Sequence, residues 1–159
     1  MKRWIFLLIS VLSVLPSSAH TMKEVFSEMP DSILPYIIKN RRLDCIDFIE
    51  NNMKAEVENE LNGKSELLSL TDSTLEMRLS SISTLRMRLF SLPITDATTH
   101  VTADIECILF EKIIDTPEKQ SFPRLFTIDW KELKESEENA NAWKVIRQYI
   151  TTSESIKLF

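Results

Sequence analysis

Thr74-Leu75-Glu76-Met77-Arg78-Leu79-Ser80 and Thr84-Leu85-Arg86-Met87-Arg88-Leu89-Phe90 are near copies of one another, and their odd positions are all apolar. A period of two puts those side chains on one face of a strand, so the pair predicts a β-hairpin with a buried face and a charged face. If Leu79 pairs with Leu85 around a loop centred on Ile82, Glu76 falls opposite Arg88, a favourable cross-strand pair, and Arg78 falls opposite Arg86, an unfavourable one. The duplicate spans two strands and does not recur at solenoid or propeller spacings, so it does not make a repeat protein.

The alternation continues downstream. After a turn from Pro93 to Thr99, Val101, Ala103, Ile105, Cys107 and Leu109 alternate with Thr102, Asp104 and Glu106, while Ile108 and Phe110 break the pattern and predict cover on both faces at that end. A turn over Pro117 to Gln120 leads to a strand from Phe122 to Trp130. The acidic stretch Glu132 to Asn139 reads as a solvated connection. Ala140 to Ile150 reads as an amphipathic helix with Trp143, Ile146 and Ile150 inward.

Upstream the period is helical. Thr21 suits an N-cap for Met22 to Met29, which Pro30 ends, and Pro35 limits Ile33 to Ile38 to about a turn. Asn40 caps a second predicted helix, Arg41 to Asn51, with Leu43, Ile46 and Ile49 toward the core and Arg42, Asp44, Asp47 and Glu50 toward water. Met53 to Leu61 fits either period, with the helix propensity of Met-Lys-Ala-Glu tipping it toward helix. Asn62-Gly63 ends it as a helix C-cap or as a hairpin turn. The fold class that follows is α+β: N-terminal helices packed against an antiparallel sheet of about four to five strands, with a C-terminal helix.

The first nineteen residues have another purpose. Lys2 and Arg3, the apolar run Trp4 to Leu15, Pro16 and then Ser17-Ser18-Ala19 have the layout of a cleavable signal peptide, with the cut between Ala19 and His20. The run is too short for a membrane span, and His20 stands where a lipoprotein needs cysteine. Residues 1–19 are therefore read as a signal peptide and 20–159 as a single α+β domain, periplasmic or secreted, with no membrane span after cleavage. Loss of nineteen residues from 159, Lys2 and Arg3 among them, leaves 140 residues and moves the net charge from −5 to −7. That acidic balance argues against nucleic acid as a partner.

Residues able to carry chemistry are sparse. Gly63 is the sole glycine, which excludes phosphate-cradling loops, and no cofactor is expected. His20 and His100 are the only histidines, and with Cys45 and Cys107 they show no zinc spacing, so neither catalytic nor metal-ligating residues are assigned. Cys45 and Cys107 form a candidate disulfide in an oxidising compartment, set against the plainer reading of each as a small buried hydrophobe. Asp44, Asp47, Asp72 and Asp104 would matter to a carboxylate-dependent hydrolase only if they converged in a cleft. Met22, Phe26, Met29 and Tyr36 are a candidate partner surface set against the plainer reading of core.

The run Thr21-Met-Lys-Glu-Val-Phe-Ser-Glu-Met-Pro-Asp-Ser-Ile-Leu-Pro-Tyr-Ile-Ile-Lys-Asn-Arg-Arg-Leu-Asp-Cys-Ile-Asp-Phe48, with Lys54-Ala55-Glu56-Val57, Asn62-Gly63-Lys64-Ser65, Leu70-Thr71-Asp72 and Leu75-Glu76-Met77-Arg78-Leu79, resembles an uncharacterised family of small exported proteins from Bacteroides-type bacteria. The likeness covers roughly residues 21–90 and weakens after Trp130. It implies an envelope or secreted location in a two-membrane bacterium and carries over no catalytic residue. Cys45 stands where Met or Leu is expected, which favours a buried thiol, and the Lys- and Glu-rich end from Lys131 departs from the family pattern. The leading functional expectation is a non-catalytic envelope binding or accessory protein that engages another envelope protein or a glycan. A periplasmic carboxylate-dependent hydrolase is the alternative.

Overall fold

The computed structural model describes residues 20–95 and 99–156; the expected signal segment, residues 1–19 with Ala19 at its end, lies outside them. Its centre is a six-stranded antiparallel sheet in which every strand pairs with its sequence neighbour. The strands are β1 (Glu56–Glu58), β2 (Lys64–Leu70), β3 (Thr74–Ser80), β4 (Ser83–Thr95), β5 (Thr102–Ile114) and β6 (Gln120–Thr127). Helices α1 (Met22–Glu28) and α2 (Lys39–Glu50) precede the sheet and α3 (Ala140–Ile156) follows it. The fold class is therefore the expected α+β, with one strand more than the upper expectation.

The extra strand is β1. Val57 pairs with Ser65 and Glu56 with Glu66 across the Asn62-Gly63 turn, so the helical leaning for Met53 to Leu61 was wrong. Asn59 decides the matter. Its Oδ1 accepts from the backbone of Leu61 and Gly63, both at 3.0 Å, and its Nδ2 reaches Ser65 Oγ at 3.1 Å, local bonds that favour a turn over a helix. Asn62 takes the left-handed conformation with φ 57°.

The central hairpin forms, in a different register. Glu76 pairs with Arg86 and Met77 with Leu85, a bulge falls at Leu79, and Ser80 faces Ser83 with their hydroxyls 2.9 Å apart. The like-charge pairing of Arg78 with Arg86 is thereby avoided. Arg78 instead meets Glu66 of β2 at 2.8 Å, and Arg86 meets Glu76 at 3.5 Å. β4 also runs through Pro93 to Thr95, where a turn was expected. Its pairing with β3 ends at Arg88, so Pro93 removes no donor from a ladder on that side.

The two faces of the sheet are closed differently. On one, Leu67, Leu75, Met77, Leu85, Met87, Ile108, Phe110 and Phe126 pack against Met22, Val25, Phe26, Cys45 and Ile46 of α1 and α2. On the other, Leu92, Cys107, Leu109 and Leu125 pack against Ala142 and Ile146 of α3, with Trp143 and Ile150 half-buried beside them. β5 is covered on both sides, as its broken alternation predicts. The charged side chains of β2 and β3 on that second face lie outside the α3 cluster.

Arg42 ties α1 to α2. The helical pattern places Leu43 inward and Arg42 in water, yet Arg42 is 0% and Leu43 42% exposed. The chain leaving α1 folds back through Pro30 to Ile37 and turns carbonyl groups inward that have no helical partner. Arg42 donates from Nε to Phe26 O at 3.1 Å, from Nη1 to Ile37 O at 2.6 Å and to Asp31 Oδ1 at 2.8 Å, and from Nη2 to Met29 O. A guanidinium fork supplies the several donors this junction needs, and a leucine supplies none. Asp31 also accepts from the Lys39 amide at 2.8 Å, so α2 begins at Lys39 on a distant cap and Asn40 is already inside it.

Candidate functional site

The residues singled out from the sequence do not assemble into one site. Cys45 lies between α2 and the sheet and Cys107 under α3 on the opposite face; both are free, and burial pushes each thiol up to about 11. The sheet between them rules out the disulfide. Met22, Phe26 and Met29 are 0–1% exposed and belong to the core, because the sheet face needs their apolar area. Tyr36 is half-buried with Lys112 Nζ 4.9 Å from its ring centre, so this set does not form a partner surface. Asp44 and Asp47 lie on α2, Asp44 3.8 Å from Arg41 and Asp47 accepting from Asn51. Asp72 and Asp104, by contrast, line a common depression. His100 is an exposed loop residue with φ 54°.

Two surface features emerge that the alternation pattern implied only as a charged strand face. The first is an open trough of about 350 Å³ on the second face of the sheet, floored by Thr74, Glu76, Arg86, Arg88 and Glu111 and walled by Tyr149 of α3. Register places Arg86 between Glu76 on β3 and Glu111 on β5, and Ser121 donates to Glu111 at 2.6 Å. Arg88 is held differently. Its guanidinium donates to Tyr149 Oη at 2.8 Å and lies 5.0 Å from the Tyr149 ring centre and 5.5 Å from that of Phe90. Among the described residues it makes no ion pair, so a cation held by two aromatic rings faces the trough without a direct carboxylate partner.

The second feature is a depression of about 530 Å³ at the rim where β4 outruns β3, lined by His20, Asp72, Ser73, Leu89, Phe90, Ser91, Asp104 and Glu106. The backbone amide of Met22 donates to Asp72 O at 2.7 Å, which moors the start of α1 to the β2–β3 turn. Thr21 and Glu24 form a reciprocal capping box, and the Thr21 amide together with the Thr21 hydroxyl keeps the Glu24 carboxyl below its ordinary range. His20 thus sits over β5, its Nδ1 2.9 Å and its backbone nitrogen 3.3 Å from Glu106 Oε2.

No group of three or more His, Cys, Asp or Glu side chains among the described residues is placed to hold a metal, and no helix among them is long and apolar enough to cross a membrane. The trough is open and its carboxylates alternate with arginines, an arrangement suited to binding charged groups.

No curated protein matches this chain. Among solved structures, a domain of an uncharacterized protein from Porphyromonas gingivalis W83 is similar, with a TM-score of 0.55 and 23% identity over 73% of this chain. The match spans 56% of that longer chain, and at this identity it speaks for the fold alone. A family model described as a protein of unknown function (DUF3256) matches residues 14–159, nearly the whole sequence, and the chain therefore belongs to the DUF3256 family.

Proposed function

We propose that this is an exported, non-catalytic binding protein of the bacterial envelope, whose trough between β3, β4, β5 and α3 recognises an anionic group on an envelope glycan or protein. The observation that carries this reading is Arg88. It is oriented by Tyr149 and Phe90, faces the trough, and has no ion-pair partner among the described residues. A planar cation held in one orientation before binding loses little freedom when a carboxylate or phosphate arrives. Glu76 and Glu111 beside it would reject ligands of unbroken negative charge and favour an isolated anionic group in a polar chain. Export rests on the sequence of residues 1–19.

Titration calorimetry with acidic and neutral oligosaccharides and acidic peptides tests the binding claim. The domain should bind an acidic member, and Arg88→Gln should weaken it about tenfold or more, the scale of one charge-assisted hydrogen bond of roughly 1.5–3 kcal/mol. Arg88→Gln binding as tightly as the parent, with both proteins melting alike, would refute the assignment.

A further inference from the structure

We infer that cleavage between Ala19 and His20 creates a binding site for one divalent late transition-metal ion, Cu(II) foremost, chelated by the α-amine and Nδ1 of His20 and completed by Glu106. The inference rests on the export reading proposed above and adds a ligand class that reading does not contain. In the uncleaved chain the nitrogen of His20 is an amide, whose lone pair is delocalised into the carbonyl and unavailable to a metal at neutral pH. Cleavage turns the same nitrogen into an amine. It then shares a small chelate ring with Nδ1 of its own imidazole.

The structure brings a third ligand to that pair. The backbone nitrogen and Nδ1 of His20 lie 3.3 and 2.9 Å from the same oxygen, Oε2 of Glu106. Separations near 3 Å are those of donors cis to one another at bonds of roughly 2.0–2.2 Å, so the carboxylate oxygen can take a position cis to both nitrogens. Two nitrogens and a carboxylate oxygen are a ligand set that suits Cu(II) or Ni(II), and Cu(II) heads the affinity order among divalent first-row ions.

Chain ends usually fray, and this one is tied down. The capping box orders Thr21, and the bond from the Met22 amide to Asp72 O holds the next residue, so His20 is delivered to β5 by neighbours with fixed positions. Asp72 and Asp104 line the same depression, which no lysine or arginine among the described residues lines, and their charge favours a cation there. The remaining volume leaves coordination positions open to water or a small ligand.

The test compares three proteins and one peptide. A form prepared by site-specific proteolysis begins at His20; a second is the same form with its α-amine blocked by acetylation; a third begins at His20 and carries Glu106→Gln; the peptide is His-Thr-Met-Lys. Competitive titration with copper chloride, followed by electron paramagnetic resonance, should show one Cu(II) per chain with nitrogen hyperfine structure in the first form. Affinity should fall at least about tenfold in the peptide and in Glu106→Gln, and further in the acetylated form, consistent with the scale on which lost ligand support weakens metal sites. Equal affinity in the first form and the peptide, or in the first form and the acetylated one, overturns the site. The acetylated form carries no substitution, so it decides the matter even if Glu106→Gln folds poorly. Mass spectrometry of the protein recovered from cells making the whole chain tests the premise separately, since a first residue other than His20 overturns the cleavage reading and leaves the titration result standing.

Discussion

Replacing Arg42 with Met should cost about 3–5 kcal/mol of folding stability, and the reason is backbone satisfaction more than ion pairing. The guanidinium serves three carbonyls, those of Phe26, Met29 and Ile37, and one carboxylate, that of Asp31. Met fills similar space and supplies no donor. Each carbonyl left buried and unpaired costs roughly 1–3 kcal/mol, which sets an upper bound of roughly 9 kcal/mol for the three before water or small backbone movements recover part of it. A buried ion pair can often be replaced by apolar residues without loss, but only when both partners change together, and here the partners are backbone groups that no substitution removes. Asp31 is about half exposed, so its side of the pair is worth at most about 1 kcal/mol. Urea denaturation separates these contributions. With a slope of roughly 1–3 kcal/mol/M, Arg42→Met should lower the midpoint by at least about 1 M at unchanged slope, while Asp31→Asn should move it far less. A loss below about 1 kcal/mol for Arg42→Met, or equal losses for the two variants, would refute the account.

The two thiols should stay unlabelled by a thiol reagent in the native protein and both react after denaturation, because burial holds each near 11 and little thiolate exists at neutral pH; rapid native labelling of either would contradict its placement. The Glu56 carboxyl should titrate near 2 by NMR, because Lys54 and Lys64 each donate to it at 2.6 Å. Its folded value is depressed, so whatever stability the pairing gives is present above the unfolded value near 4.5 and is lost as pH falls through about 2; Lys54→Ala with Lys64→Ala should return the carboxyl toward its ordinary range.

The fold was legible wherever period and turn chemistry agreed. Leu75, Met77, Leu85 and Met87 alternate cleanly and lie on one buried face, and Thr21 caps α1 as its residue type suggests. Legibility failed where side-chain bonds or a bulge outweighed backbone propensity and simple period. Propensity favoured helix for Met53 to Leu61, but the side chain of Asn59 bonds to the loop after it and to Ser65 of the next strand, and pairing with β2 followed. The hairpin register differs by two residues because a bulge at Leu79 and the facing of Ser80 with Ser83 set the turn, which puts Glu76 and not Arg78 opposite Arg86.

The candidate binding features were harder to read for a related reason: side-chain type does not state what the fold will leave unpaired. Arg42 and Arg88 are both arginines close to apolar residues, yet one spends its donors on buried backbone and the other faces an open trough. Charge patterning could not distinguish them, because each role depends on groups distant in sequence: the Pro30 to Ile37 turns for Arg42, and α3 with its Tyr149 for Arg88. His20 adds a further step. Its spacing from any other metal-ligating side chain is uninformative, since one of the two nitrogens proposed as ligands becomes an amine only if the bond to Ala19 is cut, and the third proposed ligand lies on β5, eighty-six residues away. A census of histidines and cysteines therefore undercounts donors in any chain read as exported with histidine first after the cut. In such a chain, the residue facing that new amine deserves the weight usually given to a second histidine, and here that residue is a carboxylate.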